Sequence, residues 1–123
     1  MPRIQHIALK TNDLERTRAF YKLLGLEGDL NTKVGRMWLK FDDGFTLIFD
    51  YSNELLHPAT LNYLGLELAD FEAVDRMFER LAPHISIERD LREKYREAQG
   101  PYGFFVEDPN GYTIKIFKYD DPE

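Results

Sequence analysis

Short stretches of alternating apolar and polar residues predict most of the strands in this chain. In the first such stretch, Ile7 and Leu9 share one face, whereas His6 and Ala8 share the other. The first half of the chain is predicted to form strands over residues 3–10, 27–31, 36–41 and 45–51.

An amphipathic helix is predicted between the first two strands. Leu14 and Tyr21 recur at helical spacing, and Asn12 or Asp13 is suited to cap the helix N-terminus. Gly25 stands where a helix commonly ends in a left-handed residue.

The second half of the chain repeats the first. A shift of 57 positions brings Leu9 onto Leu66 and Asp13 onto Asp70, and a shift of 67 brings residues 43–49 onto 110–116. The second half predicts a helix capped by Asp70 and ended by Pro83, and strands over residues 61–68, 85–89, 102–107 and 112–119. Residues 91–99, which contain a charged stretch, are predicted to form a helical turn or a mobile loop, and the charged residues of 90–97 are predicted to form a solvated face in preference to a lid.

This duplication predicts one α+β domain over residues 1–123, built from two β-α-β-β-β modules with their helices outside. Module one covers about 1–51, a linker covers 52–60, and module two covers about 61–119; residues 120–123 are expected to fray. A domain with two such halves is expected to bind ligands where the halves face each other.

Composition narrows the classes of partner. The net charge of −6 disfavours nucleic acids and anionic membranes, because both select a basic surface. The absence of cysteine excludes disulfides and thiolate metal sites. Without an apolar signal segment or a membrane-length apolar run, a cytoplasmic protein is expected.

The order of these motifs resembles that of the vicinal oxygen chelate superfamily, which includes glyoxalases, bleomycin resistance proteins and extradiol dioxygenases. The resemblance runs from His6 to Ile116 and rests on His-Ile-Ala-Leu, Asp-Leu-Glu, Phe-Tyr, Leu-Gly-Leu and the Asp-Pro-Asn-Gly-Tyr-Thr-Ile-Lys-Ile segment. It implies that the modules form a curled mixed sheet around a central cup holding the active site.

The resemblance also implies four metal-ligand positions, one on the first and one on the last strand of each module. His6 retains a ligand at the first position, whereas Ile48, Tyr63 and Lys115 occupy the others. Isoleucine offers no electron pair, a phenol with a pKa near 10 coordinates poorly, and an ammonium group repels a cation. No metal and no cofactor are therefore predicted.

Strand alternation gives a predicted lining for the cup. The residues assigned to the helix-packed face are Ile7, Leu9, Leu47, Phe49, Leu64, Leu66, Ile114 and Ile116. The opposite face supplies the predicted ligand-binding residues, which are His6, Trp38, Ile48, Tyr63, Glu67, Phe105, Lys115 and Phe117.

The predicted function is binding of a small aromatic or anionic molecule without metal. Lys115 could hold an anionic group, although an ion pair with Glu67 that only fills the space is an equally favoured interpretation. The alternative is a lyase, isomerase or dioxygenase with an atypical or metal-free site, for which His6, Tyr63 and Glu67 are the candidate acids or bases. The resemblance implies a homodimer. His57 and His84 are interpreted as surface residues.

Overall fold

The computed structural model describes residues 1–119. Contacts within the backbone divide the chain into two compact units, Met1–His57 and Pro58–Glu123. The division falls inside the segment predicted as a linker. The predicted frayed tail, residues 120–123, lies outside the described residues.

The first unit is one four-stranded mixed sheet with one helix. Its sheet order is β1-β4-β3-β2, with β1 parallel to β4 and the other pairs antiparallel. The elements in chain order are β1 (His6–Thr11), α1 (Leu14–Leu23), β2 (Asp29–Asn31), β3 (Arg36–Lys40) and β4 (Thr46–Tyr51).

The second unit repeats this topology with an added short helix. Its sheet order is β5-β8-β7-β6, again with the first and last strands parallel and the others antiparallel. After a 3₁₀ turn at Pro58–Thr60, the elements are β5 (Leu64–Glu67), α2 (Phe71–Leu81), β6 (Ile87–Asp90), α3 (Arg92–Tyr95), β7 (Tyr102–Glu107) and β8 (Thr113–Lys118).

Both main helices begin at the predicted aspartates. Asp13 Oδ1 accepts a hydrogen bond from the Arg16 amide at 3.0 Å, and Asp70 Oδ1 accepts one from the Ala73 amide at 2.8 Å. Each bond satisfies an amide that the helix itself leaves unpaired. Gly25 follows α1 with a φ of +81°, in the left-handed region predicted for it.

The core of each unit lies between its helix and one face of its sheet. Leu47, Phe49, Ile114 and Ile116 are buried as predicted. The residues of the edge strands β1 and β5 that point to the same face are only half-buried, because an edge strand is covered on one side only. They are Ile7, Leu9, Leu64 and Leu66.

The predicted α+β fold of two tandem β-α-β-β-β modules is thus confirmed. The charged residues 91–99 contain the short helix α3. Within residues 1–119, no helix combines the length and the apolar character needed to cross a bilayer.

Candidate functional site

A buried lysine lies at the centre of the second sheet. Lys115 is on β8, directly between Phe105 of β7 and Gly65 of β5 in the strand register. Only 6% of Lys115 is exposed, which is rare for a lysine. Its side chain lies on the sheet face opposite the buried Ile114 and Ile116, because neighbouring strand residues point to opposite faces.

Three aromatic rings surround the ammonium group of Lys115. Its Nζ is 4.8 Å from the ring centroid of Phe117, 5.1 Å from that of Tyr119 and 5.3 Å from that of Tyr63. At these distances the electron-rich ring faces attract a cation. The rings therefore replace part of the hydration that the ammonium group loses on burial.

The rings also contact one another. Tyr63 meets Phe105 edge to face with centroids 5.7 Å apart, and Phe117 meets Tyr119 in the same way at 5.3 Å. Tyr63 and Tyr119 are exposed, and Phe105 and Phe117 are half-buried. We call Tyr63, Phe105, Phe117 and Tyr119 the ring cluster.

Gly65 helps to position one of these rings. A Cβ atom at Gly65 would lie only 3.2 Å from Phe117 Cε1. The missing side chain therefore lets the Phe117 ring lean across β5 beside Lys115.

The ion pair between Lys115 and Glu67, one of the two equally favoured interpretations of the sequence, is absent from residues 1–119. Glu67 Oε2 instead lies 3.5 Å from Lys118 Nζ, and Glu67 is exposed. Lys115 forms no ion pair with a carboxylate in the described part of the chain. Among the described residues, the Lys115 ammonium group contacts ring faces and no anion.

The structure thus brings four predicted site residues together in the second unit: Tyr63, Phe105, Lys115 and Phe117. Glu67 is also in the second unit but is paired with Lys118, and the remaining three lie in the first unit. Trp38 and Ile48 are direct partners in the β3–β4 register; Ile48 is buried and Trp38 half-buried. His6 is exposed on β1, and its Nδ1 lies 2.7 Å from Gln5 Oε1.

An ion pair occupies the same face of the first sheet. The Arg36 guanidinium donates two hydrogen bonds to the Asp50 carboxylate, which raises the pKa of Arg36 above its ordinary value. Arg36 also lies 5.9 Å from the Trp38 ring centroid. Unlike Lys115, this cation has an anionic partner.

The residues at the implied metal-ligand positions do not fit a divalent cation. In the second unit, the Lys115 ammonium lies against the Tyr63 ring, so a positive charge stands where electron-pair donors would be required. Ile48 has no donor atom. Across residues 1–119, no three His, Cys, Asp or Glu side chains form a group that could hold a metal ion.

A second polar cluster lies on the helix-packed side of the second sheet. Arg92 donates to Asp75 Oδ1 at 2.9 Å and to both Asp90 carboxylate oxygens at 3.0 Å, and its guanidinium lies 3.7 Å from the Phe78 ring centroid. The predicted solvated face is therefore wrong for Arg92, whose side chain is only 19% exposed.

The phenol of Tyr102 completes this cluster. Tyr102 is fully buried and donates to Asp75 Oδ1 at 2.6 Å. Burial, followed by the hydrogen bond to Asp75 and its negative charge, raises the pKa of Tyr102 to about 12. Arg92 lowers the pKa of Asp90, chiefly through their side-chain hydrogen bonds. These contacts attach α3 to α2 and β7.

Sequence reasoning missed two residues on the Lys115 face. Tyr119 could have been found, because it continues the alternation of Lys115 and Phe117. Arg89 could not, because a β-bulge between Ile87 and Arg89 shifts the register and pairs Arg89 with Phe105. In a regular strand Arg89 would share the core-facing side of Ile87.

Known structures share this architecture. A possible glyoxalase from Bacillus cereus is 26% identical with a TM-score of 0.73, over 94% of this chain and 97% of that one. A glyoxalase/dioxygenase from Nostoc punctiforme is 22% identical with a TM-score of 0.76, over 98% and 92%. A lactoylglutathione lyase from Agrobacterium tumefaciens is 22% identical with a TM-score of 0.72, over 94% and 92%.

No curated protein sequence matches the chain. A family model, however, matches the sequence over nearly its whole length. The model that matches residues 3–116 is that of the Glyoxalase/Bleomycin resistance protein/Dioxygenase superfamily. The chain therefore belongs to the glyoxalase/bleomycin resistance protein/dioxygenase superfamily.

Proposed function

We propose that this protein binds a small anionic molecule with an aromatic or apolar body, through Lys115 and the ring cluster and without a divalent metal. The observation that carries the proposal is Lys115, a residue only 6% exposed whose ammonium group has no carboxylate partner within residues 1–119. A buried charge is costly unless it is paired, and a bound anion would pair it.

The surroundings of Lys115 suit binding of an organic ligand better than binding of a simple ion from solution. Every buried side-chain nitrogen or oxygen in the described residues has a hydrogen-bond partner. Lys115 Nζ makes no such bond with any residue of 1–119, so the atom keeps some contact with solvent and can reach an arriving ligand. The exposed rings of Tyr63 and Tyr119 offer flat apolar surface beside it.

Titration with benzoate, followed by calorimetry or ligand-observed NMR, tests this proposal. Benzoate should bind the wild type and lose affinity at least about tenfold in Lys115→Met, because a charge-assisted hydrogen bond is lost. Lys94→Met is the matched control, since Lys94 also lies near one ring, Tyr95 at 5.1 Å, but is exposed on α3. Equal benzoate binding by Lys115→Met and the wild type would contradict the proposal.

The metal-free part of the proposal needs its own test. Protein purified without chelator should contain far less than one equivalent of Mn, Fe, Ni or Zn. One equivalent of any of these, lost in the His6→Ala variant, would refute it.

Catalysis without metal is the alternative function. Its candidate acids and bases are His6, Tyr63 and Glu67, and no hydrogen bond joins any two of them within the described residues. That arrangement favours binding, because general acid–base work depends on positioned proton partners. If a substrate is found, its turnover should be measured in His6→Ala, Tyr63→Phe and Glu67→Gln. Full turnover in each of the three variants would exclude this alternative.

We also infer that the chain assembles as a homodimer. The support is the position of β1 and β5, which are each hydrogen-bonded on one side only within their sheets. An open strand edge is a template for pairing with another chain. Sedimentation velocity should give twice the mass of 14.5 kDa, and a monomer at all concentrations would contradict this inference.

A further inference from the structure

A row of four residues crosses the second sheet on the Lys115 face. The strand register pairs Arg89 with Phe105, Phe105 with Lys115, and Lys115 with Gly65. Paired residues in neighbouring strands point to the same face of a sheet. The row therefore carries a cation on β6, a ring on β7, a second cation on β8 and bare backbone on β5.

Arg89 is as unpaired as Lys115. It is exposed, and it forms no ion pair with a carboxylate within residues 1–119. The bulge beside it is what turns its side chain to this face. Two strand spacings of about 4.8 Å separate Arg89 from Lys115 at the backbone, which is roughly 10 Å.

We propose that this row selects ligands with two anionic groups at opposite ends of a flat aromatic body. One anionic group meets Lys115, the aromatic body lies against Phe105, and the second anionic group meets Arg89. A guanidinium suits the outer position because its planar fork pairs with a carboxylate through two hydrogen bonds. This inference rests on the proposed function and names its ligand class.

Two carboxyl groups limit where the ligand can lie. Glu107 is two residues beyond Phe105 on β7 and lies near Glu88 beside the bulge, where burial and then the Glu107 carboxyl group raise the pKa of Glu88. Both groups repel an anion that strays toward the far end of β7. Glu67, on the other side, already has Lys118 as its partner. The row itself is therefore the most favourable position on this face for two negative charges.

Terephthalate, which has two carboxylates on one benzene ring, is the probe, and benzoate is its one-charge reference. The wild type should bind terephthalate about tenfold more tightly than benzoate, which is the value of one added charge-assisted contact. Arg89→Gln should remove most of this preference, lowering terephthalate affinity far more than benzoate affinity. Arg80→Gln, an exposed charge removal on α2, should leave both affinities unchanged.

The outcomes separate this inference from the proposed function. If Lys115→Met loses both probes but Arg89→Gln keeps the preference for terephthalate, the row is wrong and the Lys115 site stands. If Lys115→Met binds both probes like the wild type, the proposed function itself fails. A third probe, trans-1,4-cyclohexanedicarboxylate, keeps both charges without a flat ring and should bind more weakly than terephthalate; equal binding would overturn the aromatic requirement.

Discussion

The two modules share a backbone plan but carry different charges on the face away from the helix. In the first module, the cation Arg36 is neutralised by Asp50 on the neighbouring strand. In the second module, Lys115 and Arg89 have no carboxylate partner among the described residues. The core-facing residues of the two modules are thus similar while the opposite faces differ, and the ligand site proposed above uses the unpaired charges of the second module.

The modules differ on the helix side as well. Asp75, Arg92 and Tyr102 attach an extra helix in the second module, and the first module has no element at that place. The shared features should therefore respond alike to mutation in both modules, whereas the added cluster should affect only the second.

The largest effect is expected from Arg92→Ala. This change leaves Asp75 and Asp90 without their partly buried partner and removes the stack on Phe78, which should lower the free energy of unfolding by about 2–3 kcal/mol. Urea unfolding measures the loss, and amide exchange should accelerate in α3 but not in α1. Arg76→Ala is the control, because its i,i+4 pair with Glu72 is exposed and contributes little. Equal losses in the two variants would show that the cluster adds no stability.

A pH dependence should distinguish the second module through Tyr102. The pKa of Tyr102 is raised to about 12 in the folded state, against about 10 when unfolded. The stabilisation is therefore complete below pH 10 and is lost between pH 10 and 12, by at most about 3 kcal/mol.

Tyr102→Phe isolates this contribution. At neutral pH the variant should be less stable by about 1 kcal/mol, the value of a hydrogen bond. The difference between wild type and variant should then vanish and reverse sign as the pH rises from 10 to 12, because only the wild type loses stability by this titration. A constant difference over that range would mean that the phenol titrates alike in both states.

The two helix caps should give matched, intermediate effects. Asp13→Ala and Asp70→Ala each remove one carboxylate-to-amide hydrogen bond and should each cost about 1 kcal/mol. Asp13→Asn and Asp70→Asn retain an accepting oxygen and serve as controls with smaller losses. Urea unfolding that gave a large cost for one cap and none for the other would break the equivalence of the modules.

The smallest effect is expected from the ion pair of the first module. Arg36 and Asp50 are each 37% exposed, so Arg36→Gln should change stability less than either cap variant does. A double-mutant cycle with Asp50→Asn measures the coupling directly. A coupling as large as the loss in a cap variant would mean that this pair stabilises the sheet rather than only neutralising its face.

The sequence predicted the fold well because the fold depends on local periodicity. Asp13, Asp70 and the alternating residues of β4 and β8 each act within their own element, and the duplication links them. The same alternation put Tyr63, Lys115 and Phe117 on one face, and the structure groups them.

The remaining parts of the site depend on long-range contacts. The bulge that turns Arg89 toward Phe105 is a property of the β6–β7 pairing, and no local pattern encodes it. Likewise, Arg92 is charged and sits in a charged stretch, so only the approach of Asp75 and Phe78 shows that it is largely buried. The interpretation that paired Glu67 with Lys115 was wrong for a related reason. Glu67 instead pairs with Lys118, whose long side chain lies at the end of β8.

The parallel pairing of first and last strands has a consequence for synthesis on the ribosome. β4 pairs with β1 and β3, so every strand of the first sheet is available once Tyr51 has emerged. β8 fills the corresponding place between β5 and β7, and it is the last strand of residues 1–119 to be made. Until Lys118 leaves the exit tunnel, the nascent second sheet lacks an inner strand and Lys115 on it, so the second sheet is completed after the first.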